Sequence, residues 1–446
     1  MTTTMIAPVT MNASATTAVS QPRLIALEGS PAPAEIGGTY SKIISAAVDN
    51  SGDVVFSATL SDSTASSAIL LKSGDTTRML LRSGDKAPDG STYKKFDELD
   101  GSYYKREDGR DGRFLIFRAE LESSSVSEGL FLWTPAGVQA IALEGGQSPM
   151  GNTYKSFVQP MVISETSIKG VVPLYAFVAI MEDGKKSFIM VPDFAVGRPD
   201  DASSQEFLST GLVLGDKVVE DFVISRLGAE GVSCIAQVRN LNDNTSYKEF
   251  IFVGYGYIHH GGPIRQGAKL KPIGKIRRFV TPPSIFFQNG VAILQLKGGT
   301  RALVTQDVLL GPVILAKTGD PAPGLIGKTL QGFGSPVSTP DWPVADTPFS
   351  ARVPTGIVCP VQLGGGQSAL WLWTRKVAFP GPDIIETKLL LVGGKTDDGQ
   401  GPMLQSFSPI NITNRGALLL RGTVGEGGQA REGLFVIEGL FDEQPQ

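Results

Sequence analysis

Internal repetition constrains this chain more than any other property of its sequence. LIALEGSPAP (24–33), LLRSGDKAP (80–88), IALEGGQSP (141–149) and LAKTGDPAP (315–323) vary one phrase: a short apolar strand ending in glycine, then a turn carrying proline. LLLVGGKTDDG (389–399) is a looser copy. The gap between 145 and 319 holds two more, LVLGDK (212–217) and RQGAKLKPIG (265–274). The marker glycines are then Gly29, Gly84, Gly145, Gly215, Gly267, Gly319 and Gly393. An aromatic follows the glycine at a nearly steady interval. The step is the same from Gly84 to Phe96, Gly145 to Phe157 and Gly267 to Phe279, and slightly longer from Gly319 to Phe333 and Gly393 to Phe407. Phe222 follows Gly215 much more closely, and the first repeat has Ile43 at the longer interval from Gly29.

Two β-rich segments come after each marker. The first series begins GDVVFSATL (52–60), GRFLIFRAEL (112–121) and PLYAFVAIM (173–181) and ends GALLLRGTV (416–424); the second begins SAILLK (67–72) and GLFLWT (129–134) and ends EGLFVIE (432–438). Both are rich in β-branched and aromatic residues, and no segment carries a helical period. The sequence therefore predicts an all-β fold of seven units of about 60 residues, a seven-bladed β-propeller with one unit per radial blade. The repeat phase supports a closed ring. After LFVIEG (434–439) the last repeat lacks its outer strand, while a surplus copy, RLIALEG (23–29), precedes the first repeat. An N-terminal strand that completes the last blade removes an exposed edge. This reading makes residues 1–22 a flexible arm and residues 23–446 one propeller domain. The arm holds six Thr and no charge, and its alternative fate is docking on a neighbouring subunit. Middle strands apolar at nearly consecutive positions are expected to be sandwiched between blades, with the marker Phe packed there.

The motifs are similar to those of a group of bacterial repeat proteins of unknown function. Their repeats carry a G-D-x-A-P-G turn, an aromatic, then G-x-V-x-F-x-A-x-L. TGDPAPG (318–324) with Phe333, SGDKAPDG (83–90) with Phe96, and LEGSPAP with GDVVFSATL carry the likeness. The resemblance implies a propeller and brings no catalytic residue with it; the turn motif reads as structural.

Several function classes are disfavoured. Two Cys cannot build a disulfide framework or a Cys-rich zinc site, and Cys234 and Cys359 read as buried free thiols. A pI near 5.5 disfavours nucleic acid, and no apolar run is long enough to span a membrane. Without a signal peptide pattern the expected place is the cytoplasm, export by a non-Sec route remaining open. His259 and His260, the chain's two histidines, are adjacent and point to opposite faces if they lie in a strand. They read as surface or turn residues, with a loop at Gly261–Gly262 as the arrangement that would let them share a metal. There is no G-x-S-x-G, and DNSGD (49–53), EDGRDG (107–112) and NDN (242–244) lack calcium-loop spacing. No catalytic residue, metal or cofactor is assigned.

The clearest charge feature is Arg265, Lys269, Lys271, Lys275, Arg277 and Arg278, six positives between 265 and 278 without an acid. Its plain reading is a solvated loop face; its functional reading is contact with an acidic patch on a partner. The acidic stretch Asp97, Glu98, Asp100 falls in a related loop of the second repeat. Tyr103 and Tyr104, in a polar segment, are further contact candidates. Trp371 and Trp373, with Trp133, read as packing rather than a sugar platform. The expected function is a soluble, non-enzymatic propeller acting as a protein-interaction or structural component, its partner another protein or its own copies. The alternative is a carbohydrate-binding or carbohydrate-active propeller with its site at the ring's mouth.

Overall fold

A computed structural model describes residues 11–13, 21–49, 51–105, 111–122, 125–167, 170–191, 205–228, 231–254, 257–263, 278–279, 291–295, 299–307, 311–339, 355–376, 384–393, 404–413, 416–426 and 429–441. Every strand or helix among them is a β-strand. The chain divides into a larger unit, Leu24–Arg265 with Arg431–Val436, and a smaller one, Met1–Arg23, Gln266–Ala430 and Ile437–Gln446.

β1 (Met11–Ala13) and β2 (Arg23–Leu27) precede the sheets. The first sheet is β3 (Thr39–Val48), β4 (Val54–Ser61), β5 (Ser67–Ser73) and β6 (Thr76–Arg82). The second is β7 (Thr92–Lys105), β8 (Asp111–Glu122), β9 (Glu128–Thr134) and β10 (Gly137–Leu143). The third is β11 (Tyr154–Ser167), β12 (Gly170–Met181), β13 (Lys186–Val191) and β14 (Gln205–Ser209). The fourth is β15 (Val213–Leu214), β16 (Lys217–Gly228), β17 (Gly231–Asn240), β18 (Ser246–Gly254) and β19 (Tyr257–Pro263). These four make up most of the larger unit.

In the smaller unit the fifth sheet is β20 (Arg278–Phe279), β21 (Val291–Gln295), β22 (Arg301–Asp307) and β23 (Gly311–Lys317). The sixth is β24 (Leu330–Phe333), β25 (Val337–Ser338), β26 (Thr355–Leu363), β27 (Ser368–Lys376) and β28 (Ile384–Val392). β29 (Leu404–Ile412) pairs with β30 (Leu418–Glu426). β31 (Gln429–Ile437) lies beside β2. Except that β24 and β25 both lie on β26, strands consecutive in sequence within the first six sheets are antiparallel neighbours, so short turns suffice to connect most of them.

One local device recurs where each sheet begins. The Gly84 amide donates to Tyr93 O (2.8 Å), and the Tyr93 amide donates back to Asp85 O (3.0 Å). The same pair links Gly29 with Tyr40, Gly145 with Tyr154 and Gly319 with Leu330. Gly84 has φ +94° and Gly319 +94°, a backbone that L side chains resist, which is why the turn demands glycine. One residue beyond the paired Tyr or Leu, each first strand carries a β-bulge, as at Tyr93/Lys95 and Tyr154/Ser156. Three residues beyond it stands the marker: Ile43, Phe96, Phe157 and Phe333.

This pattern moves two of the markers read from sequence. In the fourth repeat the paired bonds fall on Gly211, donating to Val219 O at 2.7 Å, and not on Gly215. Gly215 belongs instead to the tight hairpin between β15 and β16, whose Gly-Asp pair mimics the repeat turn. Gly211 stands nearly as far before Phe222 as Gly84 does before Phe96, which removes the odd short interval. In the last marked repeat the Gly393 amide donates to Ser368 O (2.7 Å), as Ser83 does to Ser67 and Glu144 to Glu128. Gly393 therefore sits one residue before the marker place, which falls on 394, outside the described residues, as Gly267 does.

The cores lie between successive sheets. In β8, Leu115, Phe117 and Ala119 join Ala47, Ile69 and Leu81 of the first sheet, together with Phe96. The alternate residues Phe114 and Ile116 join Phe157, Tyr175 and Phe177 of the third. Phe222, Cys234 and Ala236 of the fourth sheet pack on Val178 and Phe188 of the third, and Phe333 of the sixth shares a core with Val291 and Leu303 of the fifth. A middle strand thus feeds two cores with its two faces, so apolar residues run almost uninterrupted as expected. Burying one marker Phe is worth about 1.5–3 kcal/mol.

Candidate interaction surfaces

Most of the basic run, Arg265, Lys269, Lys271, Lys275 and Arg277, lies outside the described residues. Arg278 belongs to β20 and is paired in register with Gln295. Tyr103 and Tyr104 belong to β7, opposite Arg113 and Gly112, and not to a loop. β7 is 14 residues long because its bulges absorb the extra residues that break the apolar alternation. His259 and His260 lie in β19, opposite Phe252 and Ile251, in a strand and not in a loop. Among the described residues no group of three or more His, Cys, Asp or Glu could hold a metal. No helix there is long and apolar enough to cross a membrane.

The acidic stretch is a structural cluster within β7. Asp97 accepts from Arg118 of β8 (3.3 Å) and from Lys95. The Asp97 carboxylate beside Lys95 raises the Lys95 pKa above its ordinary value. Glu98 accepts from the Gln159 amide (3.0 Å). Arg118 also donates to Phe157 O (3.0 Å) and lies 3.7 Å from Glu128, which in turn accepts from the Phe157 amide at 2.7 Å. Burial raises the Glu128 pKa, against the lowering pull of that amide and of Arg118. Both backbone polar groups of the third sheet's marker are therefore held by side chains of the second. Ser67 plays this part for the Phe96 amide (3.1 Å), and Lys186 donates to Phe222 O. These clamps commit their charges to joining sheets.

Sequence reasoning missed the clamps, although a signal exists. Each clamp opens the third strand of its sheet and is followed by a small residue: Ser67-Ala68, Glu128-Gly129, Lys186-Ser187. A Cβ on Gly129 would meet Leu143 and Phe131 at 2.8 Å, so bulk cannot enter there. The turn acids behave as read: Asp49 Oδ1 accepts from the Ser51 and Asp53 amides, and Asp243 from that of Thr245. A cleft lined by Ala47, Asp49, Val55, Gly101, Leu115 and Trp133 has about 30 Å³ of free volume, room for about one water and not for a ligand. Trp371 and Trp373 are buried in the sixth sheet's core, and Trp371 Nε1 donates to Pro323 O (3.1 Å). Cys234 and Cys359 are buried free thiols, and burial pushes Cys359 far above the usual thiol pKa.

Among the described residues the repeat turns differ at their exposed tips: Asp89, Met150 and Ile326 occupy three of them. In the larger unit Met150 is 69% exposed and Val213 56%, with Leu241 at 48% on a loop whose amide donates to Asp216 O.

Residues 3–110 match the model of a family of unknown function, DUF7453. No curated protein matches the chain. Among solved structures, the fucose-specific lectin from Aleuria aurantia is 10% identical, with 80% of this chain and 97% of that one covered and a TM-score of 0.33. The WD40 domain of SCAP from fission yeast is 9% identical, over 90% and 85% of the two chains, at 0.32. Drosophila Semaphorin 1b, extracellular domains 1-2, is 11% identical over 95% and 88%, at 0.34. Scores of this size are too low to define a shared fold or a shared function.

Proposed function

We propose that the chain is a seven-bladed β-propeller, its ring closed by β2 on the last blade, that acts without catalysis as an interaction or structural component of a larger assembly. The observation that carries this reading is the contrast between a constant frame and variable tips. Gly turn, bulge, marker and clamp recur from sheet to sheet, while the tips change from Asp89 to Met150 to Ile326. A frame of that kind holds different side chains at one end of every sheet, which is the geometry of a presented surface. Closure is supported by the Glu28 amide donating to Glu432 O (2.9 Å), and by Arg431 donating to Glu28 O (2.7 Å) and to Ser30 Oγ (2.9 Å). Trp371 and Trp373 lie buried in a core and so offer no sugar-stacking face.

The test is the native mass of the untagged protein from its own cells, by size exclusion with light scattering. A mass well above 47.2 kDa, or a defined partner that survives purification, is expected. Paired Met150→Asp and Val213→Asp substitutions should then release the partner without lowering stability. A lone monomer that binds nothing would overturn the reading.

A further inference from the structure

One strand stands outside the repeat. β1 pairs in parallel with β28, setting Met11 opposite Ile385, Asn12 opposite Glu386 and Ala13 opposite Thr387. The six sheets from β3 to β28 are otherwise meanders of antiparallel neighbours, each strand lying beside one that adjoins it in sequence or nearly so. β1 instead reaches its partner across most of the length of the sequence. It is a guest on the edge of the sixth sheet, and the edge strands β6, β10, β14 and β23 carry no such guest among the described residues.

We infer that the outer edge of β28 is a strand-acceptor site whose occupant is the N-terminal arm, and that the arm is exchanged between two copies of the chain. This deepens the assembly reading above by naming the partner and the surface. Three features carry it. An edge strand presents unpaired backbone amides and carbonyls, and an extended segment satisfies them without side-chain complementarity. The arm suits that role: residues 1–22 carry no charge and include six Thr, so nothing electrostatic opposes its approach to Glu386 and Lys388. Finally, β1 covers three of the nine residues of β28.

Among the described residues that ladder is three residues long, so its few backbone hydrogen bonds are set against the ordering of the residues that make them, and opening it sacrifices little. The same backbone pairing forms when the arm of a second copy enters. Exchange in both directions keeps both ladders and adds whatever surface the two copies then share, a low-cost route to a dimer. Nine residues, 14–22, separate β1 from β2, a reach of about 30 Å when extended, enough to leave one copy for another.

The test uses full-length chains bearing one new cysteine each. One carries Asn12→Cys, the other Glu386→Cys; Cys234 and Cys359 are buried and do not compete. Opposed Cα atoms on paired strands, about 4.8 Å apart, lie within disulfide range. A disulfide that joins the two variants can form only between copies. The expected result is a reducible species at twice 47.2 kDa in the mixture and in neither variant alone. A double variant that cross-links only within one chain, with none in the mixture, would overturn exchange. No cross-link in either would overturn the acceptor edge itself. A native assembly whose mass is unchanged when the chain begins at Gln21 would leave the assembly reading standing and remove this one.

Discussion

Phe157→Ala measures how much the marker residues hold adjacent sheets together. Phe157 is fully buried between the second and third sheets, with ring centroids 5.3 Å from Tyr154 and 5.8 Å from Phe177. Phe→Ala in a core costs about 3–5 kcal/mol, less where the site can collapse into the cavity. Collapse is resisted here, because Glu128 holds the residue's amide and Arg118 its carbonyl. The loss should therefore fall in the upper half, about 4–5 kcal/mol, including one tilted and one edge-on aromatic contact of about 0.5–1.5 kcal/mol each. For a cooperative unit of this size each kcal/mol lowers Tm by about 2–4 °C, so the shift is about 8–20 °C. Urea unfolding followed by circular dichroism should show a lower midpoint at an unchanged slope. Met150→Ala, at a tip, is the control and should stay within about 0.5 kcal/mol. A Phe157→Ala loss below about 1.5 kcal/mol would refute the argument that the marker locks two sheets.

Other outcomes follow from the same contacts. The Glu128 pKa is raised in the folded state, so its contribution to stability is present below its ordinary value of 4.5 and is lost as pH rises through the folded pKa. Glu128→Gln should flatten that part of the stability–pH curve in urea titrations taken stepwise from pH 4 upward; an unchanged slope would count against it. Gly84→Ala meets no atom within 4 Å and should cost only the backbone strain, about 1–2 kcal/mol. Gly38→Ala would set a Cβ 2.2 Å from Ser61 O and should cost clearly more; equal losses would deny that Gly38 is sterically required. A chain beginning at Gln21 should melt as the full chain does, whereas one beginning at Ala32 loses buried Ile25 and Ala26 with the Arg431 bonds and should not fold stably. Equal melting of both would remove β2 from its structural place.

Strand positions were legible in the sequence because each middle strand serves two cores. VVFSATL and FLIFRAEL are apolar at almost every position, which a solvated loop would not be. The marker phase was harder to read. Glycine in a Gly-Asp pair serves both the repeat turn and a plain hairpin, so Gly215 looked like a marker when Gly211 made the bonds. A steadier signal was available in T-Y-S-K-I (39–43), T-Y-K-K-F (92–96), T-Y-K-S-F (153–157) and T-L-Q-G-F (329–333). Its second residue returns the glycine's hydrogen bond, and its fifth is the marker. Turn length between glycine and Thr varies, so counting from the glycine drifts, whereas counting from the Tyr does not.

The surface was less legible for a different reason. Position in the repeat, and not residue type, decides what a polar side chain does here. Ser67, Glu128 and Lys186 share no chemistry, yet each holds the backbone of the next sheet's marker, because a hydroxyl, a carboxylate and an ammonium can each meet one half of a peptide group. A search for chemical motifs passes over such a set. The same blindness placed Asp97, Glu98 and Asp100 in a loop, when they lie within β7. The bulge at Phe96/Leu99 inserts one extra residue into β7 and shifts the alternation, and Asp97 and Glu98 meet Lys95, Arg118 and the Gln159 amide. Among the described residues, Asp97 and Glu98 are already engaged by groups of the frame. Under the proposed function, what the described frame leaves for a partner is the variable tips and the outer edge of β28. Neither needs a charged or catalytic side chain, which explains why a motif search of this chain finds so little.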